Sequence, residues 1–88
     1  MLQSIIEAFP NQPFVLLDGL DNAIIGVEPL SLRLIYSVSS IIETLMSGGM
    51  TGEEAEAWYA FNVATFPASG KAPILCDNTY FDDSFLNN

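Results

Sequence analysis

The chain has 88 residues, half of them apolar and 15% charged, a composition that supports one domain around one modest core and excludes a disordered polymer. Eleven Asp and Glu stand against two basic residues, Arg33 and Lys71, and the net charge of −9 disfavours direct contact with nucleic acid or anionic lipid while favouring basic protein surfaces. With no histidine and one cysteine, Cys76, the chain lacks the residues for Ser-His-Asp, Cys-His or His-metal constellations and for an internal disulfide.

From the N-terminus, "LQSIIEAF" is a short apolar segment closed by "PNQP", a helical turn or extended arm over residues 1–13. It lacks a basic leader, and Glu7 and Pro10 interrupt its apolar stretch, so no signal peptide is expected. Nor does any window approach a span of roughly 20 apolar residues, and the lone cysteine suits a reducing compartment; the expectation is a cytoplasmic protein without membrane contact. Phe14–Leu17 and Ala23–Val27 are apolar runs around the Asp-Gly turn of "DGLDN", which predicts a hairpin. Leu32–Tyr36 is the next strand candidate, with Pro29 in the turn before it.

The period then changes from two to between three and four. Val38, Ile41, Ile42, Leu45 and Met46 share one face of a predicted helix, capped by Ser37, with Ser40 and Glu43 as a further capping box and Gly48-Gly49 as its end. Thr51 and Glu54 form the capping box of a second helix whose inward stripe is Ala55, Trp58, Tyr59, Asn62 and Phe66, ending near Thr65 before Pro67. A phosphate-cradling loop at "SGGMTG" is disfavoured, because Glu53 and Glu54 at the helix start repel an anion; the segment is a corner between helices. Ala72–Cys76 is the last strand candidate, and residues 77–88 form an acidic, aromatic tail carrying Asp77, Asp82 and Asp83.

These elements predict one α+β domain over residues 1–76, in the order β-β-β-α-α-β: a small antiparallel sheet of three or four short strands with a helical hairpin, Val38–Thr65, on one face. Three features of that domain bear on chemistry. Asp18, Asp21 and Asn22 offer oxygen ligands, yet without the spacing of a calcium loop, so Asp18 and Asp21 are read as turn residues. Asn62, placed within an apolar stripe, is read as a buried structural clamp onto "DGLDN", a pocket contact being the sharper alternative. Cys76, without a base or cation beside it in sequence, is a small core residue rather than a nucleophile. Neither catalysis, a cofactor nor a metal is expected.

The succession "DGLDNAIIGV", "YSVSSIIETL", "GGMTGEEAEAWYAFNV" and "APILC" resembles a group of small proteins common in bacteriophage genomes, over roughly residues 14 to 76. The matching positions are Asp18, Gly19, Asp21, Ala23, Gly26, Met50, Glu53, Glu54, Ala55, Phe61 and Asn62. Leu20 replaces an aromatic, Asn22 an acid, and "TFPASG" a segment that carries tryptophan and glycine, so the chain departs from the pattern after the second helix. The resemblance implies a phage setting and the same β-then-α-then-β order, and it brings no established activity.

The composition predicts a non-enzymatic acidic protein that binds a basic, nucleic-acid-handling face of a host protein, in the host cytoplasm, as in host takeover or anti-defence inhibition. Glu53, Glu54, Glu56, Asp77, Asp82 and Asp83 are the candidate contacts. The alternative is a structural or assembly protein, a homo-oligomer or virion component whose apolar arm and aromatic tail pack on neighbours.

Overall fold

A computed structural model describes residues 1–64 and 72–77 of the chain. The N-terminal segment is helix α1, Leu2–Ala8, which buries Ile5 and stops where Pro10 removes the next donor. Phe9 and Phe14 then meet edge to face, ring centres 6.5 Å apart and planes at 80°, folding the "PNQP" corner back on itself.

Two strands follow in an antiparallel pair, β1 (Ile24–Val27) and β2 (Leu34–Ser37), with Ile24 opposite Tyr36, Gly26 opposite Ile35 and Val27 opposite Leu34. The register slips between Ile24 and Gly26, so Ile25 is bulged and its side chain is exposed. Helices α2 (Val38–Ser47) and α3 (Gly52–Asn62) come next, and strand β3 (Ile74–Cys76) joins the far side of β2, giving the sheet order β1-β2-β3. The chain is therefore an α+β fold whose helical pair lies between β2 and β3 in sequence.

A single core unites these elements. Leu34 and Tyr36 point from β2 into a buried cluster with Ile5, Leu17, Leu20, Ile24, Ile41 and Val63. Helix α2 packs on β2 and on the short 3-10 turn Asp21–Ala23, α3 packs mainly on α2, and α1 sits against β1. Both later helices start on hydroxyl caps. The Ser37 hydroxyl accepts from the Ser40 N–H at 3.2 Å, and Thr51 with Glu54 completes a reciprocal box at 3.2 and 2.9 Å. Helix α2 ends at Gly48 and Gly49, the latter with φ of 112°, a conformation open to glycine and strained for other residues.

Several expectations are corrected. Phe14–Leu17 is not a strand: "DGL" closes a turn in which the Leu20 N–H meets the Leu17 carbonyl at 3.2 Å and Gly19 takes φ of 77°, but the chain then enters the 3-10 turn instead of a second hairpin arm. The hairpin lies one element later, between β1 and β2. The sheet is mixed and not wholly antiparallel, because β3 runs parallel to β2 with Ile35 beside Ile74 and Ser37 beside Cys76. Two helices between β2 and β3 supply the crossover that a parallel pair requires. The element order is thus α-β-β-α-α-β among the described residues. Ser40 lies inside α2, its N–H already bound to Ser37, so it caps nothing, and Met46 is exposed where an inward side chain was expected. Helix α3 ends at Asn62, short of Thr65; Phe66 and the tail positions Asp82 and Asp83 lie outside the described residues.

Candidate functional site

The candidate contacts divide by the work their side chains already do. The Glu54 carboxylate accepts the Thr51 N–H, which makes it part of the start of α3, although its side chain stays exposed. Glu53 and Glu56 are exposed on the same helix, and no hydrogen bond of the cap involves them. Asp77 follows β3 and is also exposed. Burial pushes the pKa of the Tyr59 phenol up, and the charge of Asp77 adds to that push, so the field of Asp77 reaches the Tyr59 end of α3.

The cations are distributed differently. Arg33 is the only basic side chain among the described residues, and its Nε donates to the Ala72 carbonyl at 2.6 Å from a half-buried position. It ties the approach to β3 to the start of β2. Against it stand nine described Asp and Glu residues, all exposed except the half-buried Glu28. The exposed carboxylates Glu53, Glu54 and Glu56 give α3 a negative edge that basic groups of another molecule can complement.

Asn62 departs from its expected role. Its side chain is exposed, and its Nδ2 donates to the Trp58 carbonyl at 3.0 Å within its own helix, so it clamps no loop. It does share the rim of a shallow cleft with Asp18, Leu20 and Trp58, so the two segments meet without the predicted hydrogen bond. The four-residue spacing back to Trp58 explains the outcome, because an amide at a helix end reaches the carbonyl one turn earlier more easily than a distant loop. Asp18 and Asp21 are both exposed, in the turn and at the first position of the 3-10 segment. Among the described residues, no three His, Cys, Asp or Glu side chains gather in a metal-holding group. Cys76 is half-buried with a free thiol at the end of β3.

A buried polar contact that sequence reasoning missed holds the region together. The Tyr36 hydroxyl accepts the Leu17 N–H at 2.9 Å, and Tyr36 is fully buried. Burial pushes its phenol pKa up; the Leu17 bond, which favours phenolate, works against that, and the Asp21 charge adds to the rise. The one signal in the sequence was the phenol at an inward position of a strand, which requires a partner once buried. Nothing in the sequence named Leu17 as that partner.

Neither a family model, nor a curated protein, nor a solved structure matches the chain. Among the described residues, no helix is long and apolar enough to cross a membrane.

Proposed function

We propose that this chain is a non-enzymatic, phage-type acidic protein that docks on a basic, nucleic-acid-handling surface of a host protein, in the host cytoplasm, and competes there with nucleic acid. The observation that carries the reading is the separation of charge: Glu53, Glu56 and Asp77 are exposed about α3, whereas Arg33 is turned inward to the Ala72 carbonyl. A basic groove evolved for phosphates attracts such a carboxylate array over a Debye length of about 8 Å at physiological salt, and the attraction raises the encounter rate. Asp82 and Asp83 extend the same acidic character along the sequence.

The test uses the full tagged chain and its Glu53→Lys/Glu56→Lys/Asp77→Lys variant, immobilised against a bacterial lysate with and without added DNA. Glu54 is left intact so that the capping box survives. Wild type is expected to retain nucleic-acid-handling proteins at low salt and to lose them to high salt or to DNA; the variant is expected to retain none. Retention of the same proteins by the variant contradicts the proposal.

A second reading, an assembly role as a homo-oligomer or virion component, is favoured by Phe61, 78% exposed on α3, and by Met1 and Ile6 on the N-terminal helix. Contacts of that kind are indifferent to salt, and Phe61→Ser is expected to remove them without touching the acidic surface.

A further inference from the structure

The connection between β1 and β2 displays an apolar side chain on a rigid mount. Leu30 is 94% exposed, more than any other large apolar residue described. The Glu28 carboxylate accepts from the Leu30 N–H at 3.2 Å and from the Ser31 N–H and hydroxyl at 2.6 Å each. The Glu28 N–H meets the Arg33 carbonyl at 2.8 Å and the Leu32 N–H meets the Glu28 carbonyl at 2.8 Å, closing the turn at both levels. Those bonds hold Leu32 at φ of 55°, the left-handed region that a leucine rarely adopts. A loop so constrained loses little further freedom when it binds, which is the main saving that preorganisation brings to an interface.

Beside this plug lies a shallow recess. Leu32, two residues along, lines an open hollow of about 280 Å³ with Phe9, Pro10, Asn11 and Gln12. None of these five side chains is charged, and the turn's one carboxylate, Glu28, stands across the turn from Arg33. On a chain of net charge −9, a patch of such low net charge is where a second, equally acidic copy can approach at least electrostatic cost. Plug and recess adjacent on one patch is also the arrangement a two-fold interface demands, since each copy must offer both halves.

We infer that the β1–β2 turn and the Phe9–Gln12 corner form a self-association surface, in which Leu30 of each copy seats in the recess of the other. This inference stands apart from the acidic-surface reading, because it uses a different face and its partner is the chain itself. The patch holds about ten residues a side, below the 20–30 of a standard interface, so the dimer dissociates on dilution.

Sedimentation velocity on the full chain from micromolar to about 1 mM, at low and high salt, tests it. The expected result is a reversible monomer–dimer equilibrium that tightens as salt screens the repulsion between two acidic copies. Leu30→Ala is expected to weaken it about tenfold, the effect of a typical anchor residue, and Leu30→Glu or Gln12→Glu to abolish it. Because Leu30 is exposed, circular dichroism and melting of its variants should match wild type, which separates lost association from lost folding. A chain that stays monomeric throughout, a dimer indifferent to these substitutions, or one that loosens as salt rises overturns the inference.

Discussion

Helices α2 and α3 are close in length and begin on the same kind of hydroxyl cap, yet α2 lies deeper in the core, whereas α3 adds only Ala55, Trp58 and Tyr59 to it. Helix α2 buries Val38 and Ile41 against β2 and the 3-10 turn, with Ser37 at its start also buried. Helix α3 buries only Ala55 along its length, packs mainly on α2, and turns Glu53, Glu56 and Phe61 to solvent. The difference teaches that a cap decides where a helix begins, while its apolar face decides whether it supports the fold or displays side chains. Most of the stability of a helix in a protein comes from that packing and not from intrinsic propensity.

The sharpest way to break the comparison is to truncate matching apolar side chains. Ile41→Ala in α2 is expected to cost about 2–5 kcal/mol in urea unfolding, through lost burial and the cavity left behind, whereas Phe61→Ala in α3 should stay within about 0.5 kcal/mol. Next is Tyr36→Phe, which strands the buried Leu17 N–H; a loss of about 1–3 kcal/mol is expected in the same assay. The raised folded-state pKa of Tyr36 gives a sign as well. Its stabilising effect is complete below the unfolded value of about 10 and fades as pH rises toward the folded one, so wild type should lose stability in alkali more steeply than Tyr36→Phe.

A smaller effect sharpens the contrast from the other side. Thr51→Ala is expected to lower stability by about 1 kcal/mol and to fray α3 selectively, seen as faster amide exchange at the start of α3 with α2 unchanged. Smallest is the Glu28 turn. Hydrogen bonds from the Ser31 hydroxyl, the Ser31 N–H and the Leu30 N–H hold its pKa below the usual carboxylate value, so its contribution is present above that value and lost as pH falls through the lowered one. Exchange of the Ser31 amide should therefore quicken, relative to that of α2, as pH is lowered through that range.

Local codes were legible in the sequence where one residue's chemistry suffices. Ser37, the Thr51–Glu54 pair and Gly49 mark helix ends because each satisfies, or permits, a bond within one turn. The second strand of the hairpin was legible from its alternation, within two residues at its start. What escaped depends on distant partners. Val27 could have paired with either neighbour in sequence, and its pairing with Leu34 follows from the Glu28–Arg33 closure of the turn. The direction of β3 depends on where two helices deliver the chain, which apolar periodicity does not encode. Asn62 misled because its place in an apolar stripe hides the nearer carbonyl of Trp58. Of the acidic set, Glu53, Glu54 and Glu56 were read as a helix edge and are exposed, but the influence of Asp77 on Tyr59 needed the fold.

The central claim is that the exposed edge of α3 displays carboxylates for a partner and does not hold the fold, so the decisive measurement pairs stability with capture for one variant. Glu53→Lys/Glu56→Lys/Asp77→Lys should melt within the range of ordinary surface substitutions, about 0.5 kcal/mol each, while losing salt-sensitive, DNA-displaceable capture of nucleic-acid-handling proteins. A variant that melts like wild type and still captures those proteins contradicts the claim.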